Sequence, residues 1–250
     1  MMKKLFALCV FLFLLTLGGA AWAEQRAFAL TDPVTLYSKM DMNSKSWEVS
    51  IPDGGVVVPS ASRDKQDRLW YKVTVGGHTG WLFNEGIRLR MGPKSKFADG
   101  VYKRCANVRA SALKGKAKGW SEGDETIEVA GGEVATWTGD GALFQIFEKG
   151  SKTEDIYFKA TGSRASKEFL GFDAIGMSWP DLRKKVGTPT VRETPEGEPD
   201  ARIISYELSN RNMTLAFHID GDNVEWFELY KGKTGEAGKG WNPDVLYARE

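Results

Sequence analysis

Hydrophobic and polar positions from Phe28 to Leu89 fall into short runs broken by turn residues. The runs "PVTLYS", "SWEVSI", "VVVPSA", "LWYKVTV" and "WLF" are separated by the turn "PDGG" at residues 52 to 55, the polar loop "SRDKQDR" and the glycine turn "GGHTG". Runs of that length at that spacing predict a small all-β barrel. Side chains alternate along a strand, so in "LWYKVTV" Leu69, Tyr71, Val73 and Val75 share one face, and Trp70, Lys72 and Thr74 share the other. The first face builds a core. The second sets a tryptophan among polar neighbours.

The pattern changes after residue 92. Phe97, Val101, Cys105, Val108 and Ala112 recur at helical spacing, which predicts an amphipathic helix or else a linker across residues 93–125. From about 126 to 160 the runs "TIEVA", "EVATW", "ALFQIF" and "DIYFKA" predict four strands, the middle pair joined by "TGDG". The best-marked helix is in "GMSWPDLRKKVGTP". Ser178 is its N-cap, Asp181 completes a capping box, Pro180 sits in the first turn, and Gly187 with Pro189 ends it. Trp179, Leu182 and Val186 then share one face. Three strands follow, "RIISYELS", "MTLAFHID" and "VEWFELYK", with hairpin connectors "NRN" and "GDN". Met213, Leu215, Phe217 and Ile219 alternate onto one face, so a helix laid on an antiparallel meander is expected over 126–232. A Gly- and Lys-rich tail, 233–250, closes the chain.

The first 23 residues carry Lys3 and Lys4, an apolar run from Leu5 to Leu17 and a small-residue end at Ala21-Trp22-Ala23. That is the pattern of a secretory signal peptide cut after Ala23, which places the protein outside the cytoplasm, soluble in the periplasm or the medium. No other stretch is apolar for long enough to cross a membrane as a helix. Cys9 leaves with the leader, so Cys105 remains alone and is expected as a buried small hydrophobe. Net charge is +1 over the whole chain, which gives no global attraction to nucleic acid. The charge is uneven, however: between residues 86 and 121 ten basic side chains face one acid, Asp99, and "SEGDETIE" follows. Within that stretch Lys103, Arg104, Arg109 and Lys114 are candidates for contact with an anionic envelope polymer, or they belong to a solvated linker.

The string "WYKVTVGGHTGWL", with "LYS" and "PDGGVVV" upstream, resembles the bacterial SH3-like domain of exported cell-envelope proteins over residues 28–92. Trp70, Val73, Gly77, Gly80 and Trp81 carry the most specific part of that resemblance. The start of the domain departs from it, since "VTLYS" stands where the family often has an "NVR" type sequence. "CANVRAS" is similar to the start of a second such repeat, although no tryptophan-glycine-tryptophan ending follows it. The helix and meander resemble the small outer-membrane assembly lipoproteins of the SmpA/OmlA type and, more distantly, the β-lactamase-inhibitor-protein fold. Taken together, the expected class is mainly β with two domains, a small SH3-like β-barrel followed by an α+β domain.

Chemistry is sparse. A cysteine peptidase needs Cys and His side by side, and Cys105 would have to meet His78 or His218 without a nucleophile motif around it. Two isolated histidines, with no "HxH" or "HExxH", do not make a zinc site. "GGEVATWTGDG" lacks the Lys-Ser/Thr of a phosphate loop. No cofactor or metal is therefore expected. Tyr37, Trp47, Trp70 and Trp81 offer rigid apolar faces with hydrogen-bonding edges, and either they grip a ligand or they fill the core of a small barrel. The SH3-like resemblance implies a non-catalytic binding protein that holds a cell-wall peptide or an envelope protein segment. A small cell-wall hydrolase targeted by the same domain, or a protein-binding inhibitor module, are the alternatives.

Overall fold

The computed structural model describes residues 25–106 and, between 121 and 232, all except 123–126, 130–131, 140, 150–151, 196, 199 and 210. The expected leader, the tail 233–250, Arg109 and Lys114 lie outside the described residues.

The first part is built from eight short strands: β1 (Arg26–Ala29), β2 (Val34–Tyr37), β3 (Ser46–Val49), β4 (Val56–Val57), β5 (Ser60–Arg63), β6 (Leu69–Val75), β7 (His78–Phe83) and β8 (Ile87–Arg90). Five of them form an antiparallel sheet in the order β3-β2-β7-β6-β5. Alternation along β6 works as the residue pattern predicts: Tyr71, Val73 and Val75 are buried together with Leu36, Val49, Leu82, Ile87 and Leu89, while Lys72 and Thr74 are exposed. Gly80 is required by packing. A Cβ there would stand 2.5 Å from the carbonyl oxygen of Tyr37 and 2.9 Å from Leu36, so only glycine lets β7 cross this close to β2.

Helix α1 (Lys96–Ala106) follows and buries Ala98, Val101 and Cys105. Its spacing was legible up to Cys105. Next come β9 (Ser121–Glu122), β10 (Ile127–Val129), β11 (Gly132–Gly139), β12 (Ala142–Lys149) and β13 (Lys152–Ala160), then α2 (Ser163–Leu170) and α3 (Trp179–Val186). The chain finishes with β14 (Val191–Thr194), β15 (Arg202–Glu207), β16 (Met213–Asp220) and β17 (Asn223–Lys231). Helix α3 has the ends read from its residues: Asp181 N donates to Ser178 Oγ at 3.4 Å, and Gly187 has φ 85°. Leu182 and Val186 are buried, and Trp179 packs half-buried beside them. Helix α2 was not foreseen. Its apolar face, Ala165, Phe169 and Leu170, is short and its N-cap Gly162 makes no side-chain bond.

Three helices thus cover one face of the antiparallel strands β12, β13, β17, β16 and β15 around a core of Phe144, Phe158, Leu182, Leu215, Phe217 and Phe227. This is the expected helix on a meander. The sheet does not stop at β15, however. It continues through β14 to β8, β1 and β4, so strands from both halves of the chain belong to one twelve-stranded sheet. β8 pairs with β14 in the register Ile87↔Thr194, Arg88↔Glu193, Leu89↔Arg192 and Arg90↔Val191. Ion pairs reinforce that join: Arg88 Nε lies 3.0 Å from Glu193 Oε2, and the Arg90 guanidinium donates to both oxygens of Glu207 at 3.0 and 3.3 Å. Among the described residues no helix is long and apolar enough to cross a membrane.

The Glu207 carboxylate is 5% exposed and accepts two bonds from one guanidinium, so its loss leaves a charge without its partner. Glu207→Gln is expected to lower stability by about 1–3 kcal/mol in urea unfolding. A change within error would remove the ion pair from the account of the join.

Candidate functional site

The outer face of the five-stranded sheet is where β-alternation collects the aromatic residues. Leu36 of β2 points into the core, so Tyr37 points out. Register pairs Tyr37 with Trp81 of β7, Trp81 with Lys72 of β6, and Trp70 with Phe83. Tyr37, Trp70 and Trp81 therefore share one face. Trp47 does not join them: it pairs with Leu36, packs against the core side, and stacks on His78 with centroids 4.5 Å apart.

Within this face Trp70 is fully buried. Tyr37 meets it edge-on at 5.5 Å, Phe83 lies at 5.1 Å, and the Arg68 guanidinium sits 5.9 Å from its ring. Tyr37 and Trp81 stay half-exposed, with Lys72 Nζ 5.9 Å from the Trp81 ring. Trp70 is thus the foundation of the face, and the two rings beside it are its accessible surface.

One carboxylate fixes this arrangement. Asp64 Oδ2 accepts from Trp70 Nε1 at 2.9 Å and from Arg68 Nε at 2.7 Å, while Oδ1 accepts from the backbone N–H of Gln66 and Arg68. Burial opposes ionisation of Asp64, but these four donors outweigh it and hold the carboxyl down to about 2. The β5–β6 turn is locked onto the indole as a result.

An open depression of about 850 Å³ lies between this turn and the β2–β3 loop. Lys39, Arg63, Lys65 and Arg68 line it against Asp41 and Asp64, with Met40 and Asn43 in its wall. The Asp41 and Asp64 carboxylates already accept bonds from their own loops, so the depression presents mainly donors. A ligand with carbonyl oxygens or carboxylates fits that chemistry.

Of the basic stretch's candidates, the described Lys103 and Arg104 lie on α1. Lys103 is exposed on α1, and Arg104 is engaged: its Nε donates to Phe169 O at 2.5 Å and it reaches Leu170 O, closing the end of α2. Cys105 lies wholly in the helical core, where burial pushes its thiol up and away from the thiolate form.

A second polar cluster was missed from the residues alone. On the face of the C-terminal sheet away from the helices, Glu228 accepts from Tyr157 Oη at 3.0 Å and lies 3.2 Å from His218 Nε2. Trp226 stacks on that imidazole, and Lys159 Nζ stands 4.2 Å from the Trp226 ring. The residues come from three strands, and only strand alternation placed His218 on that face. Neither histidine hydrogen-bonds to Cys105 among the described residues, and no group of three His, Cys, Asp or Glu there could hold a metal ion.

Two outcomes follow. The Asp64 carboxyl titrates at about 2 in the folded chain against 3.8 for the free side chain, so its contribution to stability is complete above pH 3.8 and lost as pH falls through about 2. Acid unfolding of Asp64→Asn, followed by tryptophan fluorescence, should accordingly show a shallower loss of stability across that window than the wild type. Cys105 should resist a thiol reagent in the native protein and react once urea unfolds it. Compared with known proteins, the chain matches no family model, no curated protein and no solved structure.

Proposed function

We propose that this chain is an exported, non-catalytic binding protein of the bacterial cell envelope whose N-terminal strands form an SH3-like barrel that grips an extended peptide of the cell wall or of an envelope protein. The observation that carries the reading is the half-exposed pair Tyr37 and Trp81, backed by the buried Trp70 that Asp64 holds in place. Such a pair gives wide apolar contact at low entropic cost, because its support is already ordered. The depression beside it supplies donors for peptide carbonyls and carboxylates. The leader pattern of residues 1–23 supports export. Lys103 adds a positive charge for an anionic envelope polymer, at a distance in sequence from the aromatic face.

The test is co-sedimentation of the purified protein with peptidoglycan sacculi at low and high salt. Trp81→Ala, with its unfolding midpoint measured alongside, should weaken pelleting by about 10-fold or more, as loss of a central aromatic contact does. Binding that survives salt and is lost with folded Trp81→Ala supports the aromatic surface. Binding abolished by salt alone moves the site to the basic stretch. Absence of pelleting under both conditions overturns the cell-wall reading.

A further inference from the structure

The join between the two halves holds a cation that no described carboxylate pairs with. Arg192 stands on β14 with Leu89 of β8 and Ile204 of β15 as its register partners, so its side chain enters where the two hydrophobic cores meet. The side chain is half-buried, its Nε is buried with no hydrogen-bond partner, and among the described residues no carboxylate pairs with it. Burial, together with Arg202 and Arg63 nearby, pushes the guanidinium below its ordinary range, only partly offset by Tyr71. A guanidinium remains charged even so. Charges taken out of water in folded proteins are paired or hold a counter-ion, and among the described residues this one has no pair.

A cavity of about 200 Å³ opens beside Arg192. Four arginines line it, against the two aspartates Asp67 and Asp200. Three of the four are already engaged: Arg63 with Asp67 at 3.0 Å, Arg68 with Asp64 at 2.7 Å, and Arg202 with Asp222 at 3.2 Å. Arg192 alone has its charge unanswered among the described residues. Leu69 and Phe83 supply an apolar wall, which an inorganic anion would leave unused.

We infer that this cavity binds the C-terminal residue of a peptide, its carboxylate on Arg192 and its side chain against Leu69 and Phe83. The volume equals about seven waters at roughly 30 Å³ each, room for one small residue and not for an extended chain. Arg63, Gln66 and Arg68 line both this cavity and the larger depression, so a peptide lying in the depression reaches Arg192 with its end. In that respect the inference rests on the peptide-binding reading. Arg192 supplies the planar fork that suits a carboxylate, and a lysine there would act only as a point charge.

The test titrates the purified protein, by calorimetry, with N-acetyl-alanyl-alanine as the free acid, with the same dipeptide as its C-terminal amide, and with inorganic phosphate. The acid should bind at least about 10-fold more tightly than the amide, the loss expected when a charge-assisted bond is removed. Arg192→Gln should abolish that difference, and Arg192→Lys should restore part of it. The acid and amide contrast is read on the wild type, so it decides the matter even if a variant fails to fold. Equal binding of acid and amide overturns the carboxylate assignment and leaves the peptide reading standing. Phosphate binding as tight as the acid, or no binding of the acid, also overturns it; the sacculus experiment reports separately on the peptide reading.

Discussion

Strand β8 is hydrogen-bonded along both edges, to β1 on one side and to β14 on the other, and the rest of the molecule is arranged around that pairing. Its residues alternate so that Ile87 and Leu89 enter the first core while Arg88 and Arg90 reach carboxylates of the second half, Glu193 and Glu207. Both faces of one short strand are therefore committed. A strand with a bare edge would expose its N–H and C=O groups and invite mispairing. Here each half of the chain satisfies the other's edge, and Asn84, donating to Thr194 Oγ1 at 3.0 Å, extends the pairing past the end of the strand.

That pairing also positions the candidate sites. Asn84 follows Phe83, which packs on Trp70, so the base of the aromatic face is tied directly to β14. The next residue inward on β14, Arg192, lies between the cores because Glu193 is turned the other way to meet Arg88. The β8–β14 register thus places Arg192, while the β2–β7–β6 register builds the aromatic face that Asn84 ties to it. Asp64 completes the arrangement from the opposite side, through Trp70 and through Arg68, which lines both the depression and the smaller cavity.

What could be read from the residues was what local rules decide. Helix α3 was legible because Ser178, Asp181, Pro180 and Gly187 act within their own turn. β6 and β7 were legible because alternation and glycines mark them. Trp70 was correctly placed on the face away from the core, yet its burial comes from Tyr37, Phe83 and Arg68, which only pairing brings over it. The register also separated Trp47 from the other aromatics, since a pair opposite Leu36 must share its face. "IRLR" and "VRET" gave no warning of the join. They are four residues each, charged at alternate positions in the first and at two adjacent positions in the second, and the Arg88–Glu193 contact closes a separation of 105 residues. Non-local pairing of that kind leaves no signature in either segment alone, and the same holds for Arg192.

The β8–β14 pairing makes the aromatic face and the helix-covered sheet one cooperative structure. Native-state hydrogen exchange measured residue by residue tests it most directly, because amides open either locally or with the whole unit. The protected amides of β8 and β14 are expected to exchange with the same free energy as those at the centre of β16, such as Leu215. Exchange of β6, β7 and β8 at distinctly lower free energy than β16 would show the first half unfolding by itself, and would contradict the claim.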